Sequence, residues 1–252
     1  MKKICIIPAR MNSSRFPGKP LADALGIPVV IHVAKRCGLS KNIDLVAVAT
    51  CDVEIAEVCA KFGIQAIMTG DHHERCTDRV SEAVSKLKEP VKEEDLILMV
   101  QGDEILVTPK MLDDVILDYQ MNNFPVTNLL SRIYNESDHG DPNVVKVVSS
   151  PDQRALYFSR SPIPSTYRDK NAVSYQQTGV IGFSASFLNK FSTLAQTPLE
   201  KIESVDMLRV LEHGLPLRVI YTETETVAVD VPYDLERARQ VLSKDELVKE
   251  YA

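Results

Sequence analysis

The chain has 252 residues, 44% of them hydrophobic and 25% charged, with a formal net charge of −6. That balance suits a soluble globular domain with a sizeable core and argues against nucleic acid or a membrane surface as the main partner. No apolar run approaches a membrane span, and MKKICIIPAR is too short for the apolar region of a signal peptide, so a cytoplasmic protein is expected.

Ile4 to Pro8 is a short apolar run rich in β-branched residues and reads as a buried strand. The stretch that follows, PARMNSSRFPGKPL, contains Pro17, Gly18 and Pro20 and reads as a loop. Arg10, Arg15 and Lys19 therefore fall on a loop at the carboxyl end of a strand, where open α/β sheets bind ligands. A multiply charged phosphate fits such a loop, gripped by arginine forks and a compact ammonium. Spacing alone serves a solvated basic loop equally well.

Pro28 to Cys37 reads as a helix that Gly38 stops, and Asp44 to Thr50 as a strand. Asp52 is placed to cap a helix carrying Ile55, Val58, Cys59 and Phe62, which Gly63 ends. Gln65 to Met68 reads as a strand, Thr77 to Leu87 as a helix and Leu96 to Gln101 as a strand. Leu112, Val115, Ile116 and Tyr119 mark a further helix. This alternation predicts an α/β fold, a mainly parallel sheet with helices on both faces.

Between about 126 and 184 the pattern changes. Val144 to Val148 and Ala155 to Phe158 read as strands joined by SSPDQR, a hairpin-like pattern. An antiparallel insertion beside the sheet is expected there, within a single domain spanning 1–252. Helix returns at Ile202 to Leu211, ending near Gly214. Val219 to Thr222 and Val227 to Val229 read as strands, and Leu235, Ala238 and Leu242 mark a last helix.

Two strand ends carry acids: LILMVQGDE places Asp103, and TVAVDVPYDLERA places Asp230. Taken singly each reads as structural, Asp230 as a helix N-cap. Facing a phosphate-binding loop together, they are the arrangement that holds Mg²⁺, which takes few protein oxygens plus substrate phosphates. Familiar phosphate motifs are missing. Pro20 follows Lys19 where a P-loop has Ser or Thr, and there is no GxGxxG. The five cysteines are scattered and form no zinc pattern. Cys76 follows Arg75 in a polar stretch, and a reactive thiol there is the minor reading.

In order along the chain, PARMNSSRFPGKPL, DHHERCTDR, VQGDE, DPNVVKVV, YFSRSPIP, PLEKIESVDMLRVLEHG and VAVDVPYDLERAR resemble the motifs of bacterial CMP-Kdo synthetases. These are the 3-deoxy-manno-octulosonate (Kdo) cytidylyltransferases of lipopolysaccharide synthesis, and the resemblance spans Ile4 to Val241. It implies a Rossmann-like nucleotide-diphospho-sugar transferase fold, a homodimer formed through the insertion, and transfer of CMP from CTP to a Kdo-like sugar acid with Mg²⁺ as cofactor. Arg10, Ser13, Arg15 and Lys19 would hold the CTP phosphates. Asp78, Arg79 and Gln101 would line the nucleoside, and Asp103 and Asp230 would hold the metal. Arg160, Gln177 and Glu200 would surround the sugar acid, with Arg160 a partner for its carboxylate. Arg10, Lys19, Asp103 and Asp230 are the residues expected to carry catalysis.

The departures from the family pattern gather on the sugar side. Most members have His-Ile-Gly-Ile-Tyr where this chain has Gln177 to Ile181, and Lys201 and Ser165 stand where Gln and Trp are usual. Arg75-Cys76 replaces Ser-Gly, and Ile105 replaces Pro. An altered sugar is therefore expected, an 8-amino Kdo among the candidates; activation of another sugar acid such as a sialate, or nucleotide binding without turnover, are the alternatives.

Overall fold

The structure is a computed structural model that describes residues 1–13 and 15–252. Its strands are β1 (Lys3–Ala9), β2 (Asp23–Ala24), β3 (Ile27–Pro28), β4 (Leu45–Thr50), β5 (Gln65–Met68), β6 (Leu96–Val100), β7 (Val126–Arg132), β8 (Lys146–Ser149), β9 (Ala155–Ser159), β10 (Tyr175–Ser184) and β11 (Arg218–Thr222). The α-helices are α1 (Val29–Gly38), α2 (Val53–Lys61), α3 (Cys76–Ser85), α4 (Pro109–Asn122), α5 (Glu136–Gly140), α6 (Ala185–Thr193), α7 (Pro198–Glu203), α8 (Met207–Glu212) and α9 (Pro232–Leu242).

The main sheet runs β11-β7-β10-β6-β1-β4-β5. β6, β1, β4 and β5 are mutually parallel, and β11 is parallel to β7; β10 is antiparallel to both of its neighbours. Along β1, Ile4 and Ile6 enter one core layer while Cys5 and Ile7 enter the other. A strand covered on both faces has no reason to alternate polar and apolar residues, which explains its unbroken apolar run.

The segment from 126 to 184 lies largely inside the sheet rather than beside it. β7 and β10 are central strands, and the β8–β9 hairpin is what stands apart, meeting β10 at Tyr175 and Gln176. Their strand pattern was hidden by buried polar residues that bond across the pair. Asn128 Nδ2 donates to the Thr178 and Val180 carbonyls at 3.2 Å, and Thr178 Oγ1 donates to Leu129 O at 2.7 Å. The single helix expected over 202–211 is two, α7 and α8. Ser204 turns left-handed at φ 54°, and Asp206 accepts from Thr77 N at 3.2 Å and Oγ1 at 2.9 Å, so the chain is pulled towards α3 between them. Val227 to Val229 makes no strand; Ala228 forms an isolated bridge to Glu104. No helix among the described residues is long and apolar enough to cross a membrane.

Candidate active site

The carboxyl ends of β1 and β6 and the first half of β10 border a cleft of about 760 Å³. Two glycines let these strands approach. A Cβ on Gly102 would stand 2.8 Å from Pro8 O, and one on Gly179 would stand 2.7 Å from Gln101 Cβ, so neither position admits a side chain without movement.

The loop after β1 is folded back and tied. Gly18, at φ +76°, donates its N–H to Met11 O at 3.0 Å, and Met11 N donates to Asp52 Oδ2 at 2.8 Å. Asp52 therefore tethers the loop and makes no side-chain cap on α2, contrary to expectation. Arg10, Ser13, Arg15 and Lys19 all line the cleft.

Lys19 Nζ donates to Asp103 Oδ2 at 2.7 Å and to Asp230 Oδ1 at 3.2 Å, and Arg15 Nη2 donates to Asp230 Oδ1 at 2.9 Å. Burial works against the Lys19 ammonium, but the charges of Asp103 and Asp230 outweigh it and hold its pKa above the ordinary value. Asp230 is free for this contact because Asp234 takes the capping role: its Oδ2 accepts from Asp230 N at 2.8 Å and Val231 N at 2.9 Å. Asp103 Oδ1 is buried without a hydrogen-bond partner among the described residues. An orphaned carboxylate oxygen beside a second carboxylate suits a hard cation.

Sequence reasoning missed Glu104, which is buried behind Asp103 and accepts from Gly179 N. Burial lifts its carboxyl to about 7, with the like charges of Asp103 and Asp230 adding to the effect against that hydrogen bond. Asn143 was missed too; its Oδ1 accepts from Arg15 Nη1. The only signal for either was membership of a quoted motif, VQGDE or DPNVVKVV.

Gln101 and Gln177 line the cleft, and Gln177 Nε2 donates to Asn128 Oδ1 at 2.7 Å. Arg160 lines it as well, anchored through Nε to Glu203 O at 2.6 Å and Nη1 to Pro142 O at 2.8 Å. Arg79 is buried beside a small recess shared with Pro8, Ala9 and Arg10. Its Nη1 donates to Thr69 Oγ1 at 2.6 Å, while Nη2 has no partner among the described residues.

Three expected site residues stand outside the cleft lining: Arg79, at the neighbouring recess, and Asp78 and Glu200. Arg209 Nε and Nη2 donate to Glu200 at 2.9 and 2.6 Å, and its Nη1 and Nη2 donate to Asp78 at 3.1 and 3.3 Å. Asp78 and Glu200 thus neutralise a buried guanidinium that also stacks on Phe191, 4.2 Å from the ring centroid. Cys76 lines the cleft, but burial, with Asp206 and Asp103 nearby, pushes its thiol up to about 12, so it is not a ready thiolate.

A family model described as cytidylyltransferase matches residues 4–224. The 3-deoxy-manno-octulosonate cytidylyltransferase of Thermodesulfovibrio yellowstonii is 41% identical, with 96% of this chain and 99% of that protein covered. Its counterpart in Syntrophus aciditrophicus is 40% identical over 96% of this chain and 97% of that protein. Among solved structures, a CMP:2-keto-3-deoxy-manno-octonic acid synthetase complexed with CTP superposes with a TM-score of 0.87 at 33% identity, covering 97% of this chain and 99% of the other. A 4-diphosphocytidyl-2C-methyl-D-erythritol synthase, at 18% identity and a TM-score of 0.65 over 96% of this chain and 98% of the other, shares the fold.

Proposed function

The chain belongs to the 3-deoxy-manno-octulosonate cytidylyltransferase family, and from that premise we propose that it transfers CMP from CTP to the anomeric hydroxyl of Kdo or a close variant, releasing pyrophosphate for lipopolysaccharide synthesis in the cytoplasm. The observation that carries this reading is the cluster of Lys19, Arg15, Asp103 and Asp230, cations and carboxylates meeting at one end of the cleft.

Arg10, Ser13, Arg15 and Lys19 bind the triphosphate, and Lys19 with the arginines takes up charge that develops on the departing pyrophosphate. Arg79 and Gln101 receive the nucleoside; the unpartnered Nη2 of Arg79 is a donor suited to a base carbonyl. Asp103 and Asp230 hold Mg²⁺, which when bound screens the phosphate charge and polarises the α-phosphate. The orphaned Asp103 Oδ1 supports that assignment. The sugar hydroxyl attacks the α-phosphorus in line, and orientation of the two substrates needs no covalent intermediate.

Arg160 meets the sugar carboxylate, its guanidinium already fixed by Glu203 and Pro142. Gln177 reaches the sugar tail. One of its Nε2 hydrogens is spent on Asn128, which leaves its carbonyl oxygen to accept from a hydroxyl or an ammonium alike, so Kdo and an 8-amino Kdo are both candidate substrates. A homodimer is supported by the exposed apolar side chains around the β8–β9 hairpin, Leu156, Tyr167 and Val173 among them.

The test is pyrophosphate release from CTP and Mg²⁺ with Kdo, its 8-amino analogue and a sialate in parallel. Release with Kdo or the amino sugar is expected. CTP binding without release from any of the three overturns the reading, and release with the sialate alone reassigns the acceptor.

A further inference from the structure

Outside the cleft, between β5 and α3, His72, His73 and Glu82 bring three metal-ligating atoms within 4.8 Å of one another. We propose that these three side chains form a binding site for a borderline divalent transition-metal ion such as Zn²⁺, separate from the carboxylates of the cleft.

The donor set argues for the metal class. Two imidazoles and one carboxylate suit Zn²⁺ and its neighbours, whereas the oxygen-only pair Asp103 and Asp230 suits Mg²⁺. The carboxylate is already oriented and charged. Gly70 N donates to both Glu82 oxygens, at 3.1 and 3.0 Å, and Lys86 Nζ holds Oε1 at 2.6 Å. Backbone and side-chain partners of this kind are what orient a ligand carboxylate. Lys86 is a like charge for the ion, but it sits on Oε1, away from the oxygen that His73 engages.

The imidazoles are equally placed. His73 Nε2 bonds Glu82 Oε2, and the His72 ring lies 4.2 Å from the His73 ring, centroid to centroid. His72 leans over Gly70, where an added Cβ would stand 2.4 Å from its Cε1, so the glycine makes room for the ring. Donors around a four-coordinate ion with bonds of about 2.0–2.2 Å stand roughly 3.3 Å apart. His73 and Glu82 now stand closer than that, held by their own hydrogen bond, so they have to part to admit the ion while the exposed His72 ring swings inward. The ion takes the place of the hydrogen bond between His73 Nε2 and Glu82 Oε2, with the imidazole N–H carried on Nδ1. Solvent completes the coordination. The site also touches the cleft indirectly, since Arg10 Nη1 donates to His73 O at 3.4 Å and Glu74 and Arg75 follow in the cleft lining.

The test uses the whole chain, stripped with a chelator and titrated with Zn²⁺, with bound metal measured after dialysis and Co²⁺ as a visible-absorption probe. One Zn²⁺ per chain is expected. His72→Ala and Glu82→Gln should each weaken binding at least about tenfold. Gly70→Ala, which keeps all three ligands but displaces the His72 ring, should weaken it as well. His72 is exposed, so the metal-free melting temperature of His72→Ala should match that of the wild type, separating lost ligation from lost folding. Asp103→Asn should retain the ion. No retained Zn²⁺ in the wild type, unchanged affinity in His72→Ala, or loss of the ion in Asp103→Asn would each overturn the site.

Discussion

Lys19 is where the two halves of the cleft chemistry meet, because its ammonium bridges Asp103 and Asp230 from a loop that carries Arg15. Removing it deletes a proposed phosphate ligand, leaves Asp103 without its counter-ion and leaves Asp230 with Arg15 alone. Lys19→Ala should therefore lower kcat/KM for CTP on the order of 10²–10³-fold, comparable with loss of one oxyanion donor. Unchanged kinetics would make the loop a solvated surface. Asp103→Asn and Asp230→Asn should cost orders of magnitude in turnover without moving the melting temperature by much, since both carboxylates are partly open to solvent. Chelation should abolish turnover and Mg²⁺ restore it; wild-type rates in both variants would remove the metal assignment. Asp103 could be read from the sequence because it closely follows the apolar strand β6, where backbone direction points it at the ligand end of the sheet; the run before Asp230 forms no strand and reaches the same place through the bridge of Ala228 to Glu104. Asp78 and Glu200 could not. Their distance from the cleft is set by Arg209, which comes from another helix, and no local pattern reports a tertiary ion cluster.

Arg209 is also the point at which helices become a unit. From α8 it reaches Glu200 on α7 and Asp78 on α3 and stacks on Phe191 of α6, with 2% of its side chain exposed. A buried cluster adds little net stability when intact, but breaking it strands uncompensated charge. Arg209→Met should destabilise the fold by about 3–5 kcal/mol, read by denaturant unfolding; a loss below 1 kcal/mol would mean that solvent reaches Glu200 and Asp78. The same elements mark the limit of sequence reading. β1, β4, β5 and β6 were legible from their apolar runs, and α1, α2, α4 and α9 from apolar residues at helical spacing. β7 and β10 were not assigned to the main sheet, since Asn128, Thr178 and Gln177 break the apolar pattern yet are satisfied across the strand pair. The gap between α7 and α8 depends on Asp206 bonding Thr77, 129 residues away along the chain, which no window can see.

At the scale of the whole molecule, the β8–β9 hairpin buries Val147, Ala155 and Phe158 in the core yet leaves other apolar side chains open to solvent. It joins the main sheet through β10 at Tyr175 and Gln176, and Leu156 on β9 is 60% exposed while Tyr167, in the loop beyond β9, is 84% exposed. Single exposed apolar side chains are ordinary, but a marginal hairpin with several of them gains from burial against another surface. The proposed partner is a second copy, since a two-fold axis would set the same patch against itself. Sedimentation of the wild type at micromolar concentration should give twice the monomer mass, and Leu156→Glu should shift it to the monomer. Leu156 makes no part of the cleft lining, so CTP binding should survive that change at concentrations where the wild type is dimeric. A wild type that sediments as a monomer would dismiss the dimer; a Leu156→Glu variant that stays dimeric would place the interface on another face.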